Sequence, residues 1–437
     1  MTSSFSPKTR KIGPKPGDVA TQKRDAPATE PTEKAKAELM AAGVALPDQA
    51  AMRRYRLDRV LGELKARGLC GILLFDPVNI RYALDARNMS IWTSRNFSRA
   101  VFIRTDGYTI LWDFDRCEHL SDHLPLITEH REGAGAYYFA HGDKETHYAH
   151  DFADQIAALY GQSGKGTLAV DCMDLEVITA LSDRNVTVTT GQVVMEHARL
   201  IKGPDEIKAM KCAAFACQAS VAEMQAALKP GLSEVELWSV LHAGNIARGG
   251  EWIETRLLAS GPRTNPWMAE AGPRILEDGD ILAFDTDMIG LYGYICDMSR
   301  SWLVGDGPAT AKQIELYCAA YDHVMTNTQL LGPGVSFKDL TFMGDNHAPQ
   351  YKAHQYCVKM HGVGLCDEFP SIYYPDQFIE GAADYTLAPG MVLSVETFVG
   401  EVGGKEGIKL ENEVLITHDG HEVITDYPFE PRLLGQI

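Results

Sequence analysis

The 437-residue sequence lacks the long apolar run that a membrane span requires. No stretch reaches about 18 consecutive apolar residues, and the N-terminal "MTSSFSPKTRKIGPKPGD" has no apolar segment after its basic residues. We therefore expect neither a membrane protein nor a secreted one. The nine cysteines include no C-x-x-C pair, which argues against a disulfide framework or a structural zinc site and favours reduced thiols in a cytoplasm.

Positive charge is also scarce, because 41 Lys and Arg face 59 Asp and Glu, for a net charge of −18. Binding to nucleic-acid phosphates needs a surplus of Lys and Arg, so we expect no nucleic-acid partner. The chain has no G-x-S-x-G motif and no Cys-His signature, and "GQSGKGT" at 161–167 is too short for a phosphate-binding loop. These absences give no support to phosphate-loop, serine-nucleophile or cysteine-nucleophile chemistry.

The composition divides the chain into three parts. Residues 1–49 are rich in Pro, Lys, Thr, Ala and Glu and poor in large apolar residues, which predicts a flexible N-terminal arm or a segment that lies on another subunit. Residues 50–198 alternate helix-like and strand-like patterns and predict an α/β domain. A Gly-Pro break in "RLIKGPDE" predicts that a second domain, of mixed α and β structure, occupies 199–437.

Three aspartates stand in the stretch "DTDMIGLYGYICDMSR", between two strand-like runs joined near Gly290. Residues two apart in a strand share a face, so Asp285 and Asp287 are expected side by side, and a hairpin would bring Asp297 opposite them. Carboxylates this close raise each other's pKa unless a cation lies among them. A polar strand face open to water is the alternative, but the apolar flanks "ILAF" and "WLV" argue against it.

The second half of the domain supplies further metal-binding side chains. His361 lies in "VKMHGVG", Glu396 in "GMVLSVETF" and Glu411 in "GIKLENEVLIT", each in or beside a strand-like run. One histidine with four or five carboxylates suits a pair of Fe(II), Mn(II), Co(II) or Zn(II) ions. The histidine makes calcium and magnesium poorer candidates. A structural metal site with chemistry elsewhere remains an alternative.

The ordered Asp, Asp, His, Glu, Glu set in "GDILAFDTD", "DMSRSW", "HGVG", "PGMVLSVE" and "IKLENEVLIT" resembles the pita-bread metalloenzymes, which include methionine aminopeptidase, prolidase and creatinase. The resemblance covers residues 50–437. It implies a creatinase-like two-domain subunit, whose C-terminal domain holds the metals in a curved β-sheet covered by helices, and usually a homodimer.

Departures from the peptidase pattern point to another reaction. The peptidases separate their first two metal aspartates by eleven residues, whereas Asp285 and Asp287 precede Asp297 by twelve and ten, so we expect both to reach the metals. A Pro-His dipeptide of the peptidases corresponds to a place occupied here by Trp267, and their His-Glu dipeptide corresponds to Asp367–Glu368. Loss of both histidines with every metal ligand retained predicts a substrate that the metals bind without peptide hydrolysis.

A carboxylate at position 367 can accept a proton from carbon, which suits a β-elimination. The segments "TDMIGLYGYICDMSRSW" and "KMHGVGLCDEFPSIYYP" resemble one branch of the family, the dimethylsulfoniopropionate lyases of the DddP type, which form dimethyl sulfide and acrylate. This resemblance implies Asp367 as the catalytic base, six metal ligands and iron as the metal. The cationic sulfonium would bind aromatic faces, for which Tyr356, Trp267 and Trp92 are candidates, although each could equally be a packing residue.

Two other functions compete with the lyase. An Xaa-Pro dipeptidase, or another creatinase-like hydrolase of C–N bonds, would use a metal-activated water, and the missing histidines count against it. A non-enzymatic member would use the fold only as a binding surface, which the retained ligands make a poorer hypothesis.

Overall fold

The computed structural model describes residues 30–163 and 166–436. Contacts between residues divide the chain into two compact units, the first containing 48–199 and the second containing 30–47 together with 200–436. Of the arm predicted over 1–49, residues 1–29 lie outside the described residues. Among the residues that are described, no helix combines the length and the apolar character needed to cross a membrane.

Part of the predicted arm is a helix of the second unit. Helix α1, Glu33–Ala41, begins at Thr32, whose side chain accepts a hydrogen bond from the third residue after it. Its buried side chains are Ala35 and Leu39. Arg248 forms an ion pair of 2.8 Å with Glu38. The prediction of a flexible arm does not hold for this segment, because the burial of Ala35 and Leu39 and the half-buried ion pair of Glu38 with Arg248 order it.

The first unit is an α/β layer structure around one six-stranded mixed sheet. Its strands are β1 (Gly71–Leu74), β2 (Ala100–Arg104), β3 (Thr109–Asp113), β4 (Glu129–Glu132), β5 (Leu168–Val170) and β6 (Val188–Thr190), in the order β4-β3-β2-β1-β5-β6. Its helices are α2 (Gln49–Ala66), α3 (Pro77–Leu84), α4 (Ser90–Thr93), α5 (Tyr138–His141), α6 (Glu145–Gln162), α7 (Leu175–Ser182) and α8 (Gln192–Leu200). The run "GILL" of β1 is buried along its whole length, as a central strand requires.

The second unit consists of antiparallel strands and four further helices. The helices are α9 (Pro204–Ala227), α10 (Glu234–Arg248), α11 (Ala311–Thr328) and α12 (Phe337–Phe342). The strands are β7 (Leu258–Ser260), β8 (Ile281–Asp285), β9 (Met288–Ile289), β10 (Ile295–Cys296), β11 (Ser299–Leu303), β12 (Met360–Val363), β13 (Asp367–Ile372), β14 (Val392–Gly400), β15 (Gly407–Ile416) and β16 (His421–Val423). They form sheets in the orders β11-β8-β7 and β13-β12-β14-β15-β16, with β9 and β10 as a separate pair.

The long strands β14 and β15 form the centre of this unit and are buried along their whole length. One face of the pair belongs to an apolar core that includes Val395, Leu410 and Tyr317 of α11. Glu396 pairs with Glu411 in the register of the two strands. Because alternate residues of a strand share a face, these two carboxylates point away from that core. A buried sheet face thus carries the charged side chains that the sequence predicted.

Candidate metal centre

Three aspartates approach each other where the hairpin of β8 to β11 loses its regular structure. β8 ends at Asp285 and β9 begins three residues later, so Thr286 and Asp287 lie outside both strands. The β8–β11 pairing and the β9–β10 pairing have the same register, which places Asp287 opposite Asp297. The expectation of a continuous strand was wrong here, since Asp287 has a φ of 37°, in the left-handed region that strands do not use.

Asp287 is buried beside the other acidic side chains. Its Oδ2 accepts a hydrogen bond of 2.6 Å from the Thr255 hydroxyl. Burial, together with the negative charges of Asp285 and Asp367, raises the pKa of Asp287 well above its ordinary value. Among the described residues, Asp287 belongs to none of the groups of three possible ligands whose atoms all lie within 4.8 Å of one another. Asp287 therefore remains a predicted ligand.

The other five predicted ligands lie together. Their ligand atoms form overlapping groups within which all atoms lie within 4.8 Å of one another: Asp285, Asp297 and Glu411 in one group, and His361, Glu396 and Glu411 in another. They come from β8, the turn after β10, β12, β14 and β15. Residues more than 120 positions apart thus meet because the two sheets bring their buried charged faces together.

The imidazole of His361 points into this group of carboxylates. Its Nε2 lies 3.3 Å from Asp297 Oδ2, 3.2 Å from Glu396 Oε1 and 3.7 Å from Glu411 Oε1. Its Nδ1 lies 3.2 Å from the carbonyl oxygen of Gly362. A ring that directs one nitrogen at carboxylates and places the other beside a backbone carbonyl has the arrangement common among metal-binding histidines.

A lysine that the sequence analysis overlooked provides a fixed positive charge. The Nζ of Lys409 lies 2.9 Å from Asp285 Oδ2, 2.8 Å from Glu396 Oε2 and 3.1 Å from Glu411 Oε2. It also donates to the Ser299 hydroxyl at 2.8 Å. Because Lys409 is fully buried, its ammonium acts on these carboxylates without screening by water.

Lys409 contacts one oxygen each of Asp285, Glu396 and Glu411 and does not contact the second. Four buried oxygens have no hydrogen-bond partner among the described residues: Asp285 Oδ1, Asp297 Oδ1, Glu396 Oε1 and Glu411 Oε1. In three of these residues the second oxygen is the one that contacts Lys409. Buried carboxylate oxygens without a partner are strongly unfavourable. Divalent ions would satisfy all four, so the residues present fit the metal that the sequence predicted.

The crowding of buried carboxylates shifts the pKa values of the cluster. Burial, then the charge of Glu411, raises the pKa of Asp285 to about 7 and that of Asp297 well above its usual value. Burial opposes protonation of His361, but its contacts with Asp297, Glu396 and Glu411 outweigh burial and hold its pKa well above the ordinary value. Protonation of these groups therefore competes with the binding of metal ions.

The proposed base, Asp367, stands at the rim of the centre as the first residue of β13. Its Oδ1 lies 3.8 Å from His361 Nδ1, and 53% of its side chain is exposed. Desolvation by the surrounding protein raises the pKa of Asp367, although the His361 imidazole opposes the shift. Asp367 thus combines access from solvent with contact to the metal-binding residues, which is where a residue that handles substrate must lie.

The three candidate aromatic residues fall into two places. Trp267 packs with Phe398, at a ring distance of 6.1 Å, and Tyr356 packs against the same cluster. Lys409 Nζ lies 4.7 Å from the centre of the Tyr356 ring, so this tyrosine borders the centre. Trp92 belongs to the first unit, where its ring contacts three other aromatic rings. The structure therefore brings two of the three aromatic residues together.

A second overlooked residue is Glu413, which shares the inward face of β15 with Lys409 and Glu411. Its Oε1 accepts a hydrogen bond of 2.9 Å from the Asp297 backbone nitrogen. Burial raises the pKa of Glu413 to about 8. The alternation Lys, Glu, Glu at every second position of "KLENE" was the signal that could have identified both residues.

The chain is similar to known proteins over its whole length. Residues 208–418 match the model of metallopeptidase family M24. The chain is 46% identical to the dimethylsulfoniopropionate lyase DddP of Roseovarius nubinhibens, with all of both chains covered. It is 44% identical to the DddP of Roseobacter denitrificans, with 98% of each covered.

The fold is similar to that of a solved Xaa-Pro dipeptidase from Bacillus anthracis, with a TM-score of 0.69, 22% identity, and 86% of this chain and 98% of that one covered. This likeness confirms the predicted two-domain, creatinase-like pita-bread fold. The sequence motifs, the buried cluster of predicted ligands and the full-length similarity all indicate the same family. The chain belongs to the metallopeptidase M24 family and, within it, to the family of the DddP lyases.

Proposed function

We propose that this chain is a metal-dependent lyase that cleaves dimethylsulfoniopropionate into dimethyl sulfide and acrylate. The observation that supports it most directly is the exposed carboxylate of Asp367 beside His361, at the place where the peptidases carry an imidazole. The full-length similarity to two lyases of this name supports the same substrate.

Six residues would hold the metal ions: Asp285, Asp287, Asp297, His361, Glu396 and Glu411. When bound, two divalent ions supply Lewis acidity that attracts the substrate carboxylate and makes its α-carbon more acidic. We propose iron as the ion in the cell, on the resemblance to the lyases, with manganese, cobalt and zinc as alternatives that the same mixed nitrogen and oxygen ligands accept. Lys409 holds three of the carboxylates in place by contacts at 2.8 to 3.1 Å.

Asp367 performs the proton transfer. Its carboxylate removes the α-proton of the substrate, the released electron pair forms the carbon–carbon double bond, and the β-carbon–sulfur bond breaks with its pair leaving on sulfur. The products are acrylate and dimethyl sulfide, and the proton remains on Asp367 until solvent takes it. The exposed half of the side chain provides the route for that last exchange.

Aromatic faces at the border of the centre would bind the sulfonium. Tyr356 and Trp267 pack in one cluster beside Lys409, so the positive end of the substrate would lie near them while its carboxylate would face the metal ions. A cation over an aromatic face contributes about 0.5 to 2 kcal/mol. Trp92 is proposed for the same task on the resemblance alone.

The test is to incubate the purified protein with dimethylsulfoniopropionate, to quantify dimethyl sulfide in the headspace and to measure bound metal in the same sample. Asp367→Asn should keep its metal and lose turnover, Glu396→Ala should lose both, and the exposed Asp376→Asn should lose neither. A fully metal-loaded protein that releases no dimethyl sulfide but cleaves Xaa-Pro dipeptides would refute the lyase and establish the hydrolase.

Two further properties are proposed with this function. A homodimer is proposed on the family resemblance, and sedimentation at several concentrations tests it. A cytoplasmic location is proposed because all nine cysteines are free thiols in the structure, which suits a reducing compartment. Fractionation of cells that express the protein tests this location.

A further inference from the structure

The side chain of Asn265 joins three segments of the second unit. Its Nδ2 donates to the carbonyl oxygens of Glu401 and Gly404 at 2.9 and 3.0 Å, in the turn between β14 and β15. Its Oδ1 lies 2.8 Å from Nδ1 of His354, which belongs to the segment between α12 and β12. One amide group thus connects positions that are 89 and 136 residues away from it in the chain.

The partners determine which atoms of this junction donate and which accept. Backbone carbonyl oxygens only accept hydrogen bonds, so the amide nitrogen of Asn265 must face Glu401 and Gly404. The Asn265 oxygen then faces His354, and since it too can only accept, the hydrogen atom must be carried by the imidazole Nδ1. Both N–H groups of the amide and its oxygen are therefore paired, which fixes the orientation of the side chain.

Two glycines beside the turn permit the close approach of this amide. A Cβ atom at Gly400 would lie 2.7 Å from the Asn265 oxygen and 2.8 Å from the ring of Phe398. A Cβ atom at Gly404 would lie 3.2 Å from the Asn265 nitrogen. Larger residues at these positions would push the amide out of place, so the backbone around the junction is shaped to receive it.

Each end of the hydrogen bond between Asn265 and His354 lies two positions before an aromatic residue that is proposed to bind the sulfonium. Trp267 follows Asn265, and Tyr356 follows His354. The two rings pack in one apolar cluster. The hydrogen bond therefore fixes the spacing between the two segments that carry the rings.

This spacing matters more for a charged group than for an uncharged group of the same shape. The attraction between a cation and an aromatic ring requires the charge to lie over the face of the ring, within about 6 Å of its centre. The burial of an apolar group is non-directional and tolerates small displacements of the rings. A contact that holds the rings in place should therefore affect the binding of a cation selectively.

We propose that Asn265 and His354 are positioning residues for the positive end of the substrate, because their hydrogen bond holds Trp267 and Tyr356 at the spacing that a cation requires. This inference rests on the proposed function, which assigns the two rings to the sulfonium. It adds a specificity determinant that acts through the rings. Loss of the hydrogen bond should weaken the preference for a positive charge, while the fold and the metal content are kept.

The experiment measures how well the metal-loaded, full-length protein distinguishes two probes of the same shape. Trimethylammoniopropionate carries a permanent positive charge and contains no sulfur to release. Its carbon isostere has a tert-butyl group in place of the trimethylammonium group and carries no positive charge. Isothermal titration calorimetry yields both dissociation constants, and the constant of the isostere divided by that of the cation is the selectivity ratio.

Variants of His354 form a matched pair. His354→Leu removes the N–H that Asn265 accepts, whereas His354→Asn places an amide N–H near the position of the imidazole Nδ1 and can restore the hydrogen bond. We expect His354→Leu to lower the selectivity ratio by about 2- to 30-fold, the range that one cation–π contact represents, with an unchanged dissociation constant for the isostere. His354→Asn should keep the wild-type ratio, and Asn265→Ala should lower it as His354→Leu does.

A wild-type ratio in His354→Leu, in a protein with its full metal content and a native circular dichroism spectrum, would overturn the inference. An equal loss of affinity for both probes would also overturn it, because it would indicate a purely structural role. Release of dimethyl sulfide from dimethylsulfoniopropionate is measured on the same samples. A wild type that releases none contradicts the proposed function, whereas an active wild type with an unchanged ratio in the variant contradicts this inference alone.

Discussion

Loading of the carboxylate centre with metal should release protons. The pKa is raised to about 7 for Asp285 and well above the usual value for Asp287, Asp297 and His361, so protonation competes with metal binding at these residues. Metal ligands must lose their protons when the ion binds. Loading at about pH 6 should therefore release protons, among them the one that Asp285 carries below its pKa of about 7.

The assay is calorimetric titration of the stripped enzyme with Mn²⁺ in buffers of different ionisation enthalpy, which yields the number of protons released. The number should fall by about one at about pH 8, where Asp285 is already ionised, and also in Asp285→Asn at pH 6. Glu413→Gln is the matched control, since Glu413 is buried beside the cluster without being a predicted ligand. Release close to zero at pH 6 would refute the reasoning that protonation competes with metal binding.

Two further predictions concern the residues around the centre. Lys409→Met should destabilise the metal-free protein by about 3 to 5 kcal/mol, because it leaves three buried carboxylates without their cation. The metal-loaded protein should lose less stability. Equal losses of the free energy of unfolding in urea for both forms would contradict this. Tyr356→Ala should raise KM by about 2- to 30-fold with metal content unchanged, because the sulfonium loses an aromatic face. Tyr356→Phe keeps that face and should keep the wild-type KM. An unchanged KM in the alanine variant would show that Tyr356 does not bind the sulfonium.

The fold and the clustering of five predicted ligands could be foreseen because their signals are regular. Glu396 and Glu411 stand in strands whose apolar neighbours reveal burial, and the order of the metal-binding residues along the chain is typical of one family. The break at Asp287 could not be predicted, because a left-handed φ at one non-glycine residue has no periodic signal.

Other features were hidden for different physical reasons. Helix α1 is held largely by polar contacts such as the pair of Glu38 with Arg248, and polar composition alone resembles that of a flexible segment. Lys409 was visible in the alternation of β15 but was not assigned a role.

The position of the ligands on paired strands has a consequence for metal exchange. Four of the five clustered predicted ligands belong to strands held by backbone hydrogen bonds: Asp285, His361, Glu396 and Glu411. Lys409 holds three of their side chains in place without the help of an ion. A centre preorganised in this way needs no refolding when an ion leaves. The stripped protein should thus accept different ions in turn, so the supply of metal where the protein is made, more than its folding, would decide which ion it carries.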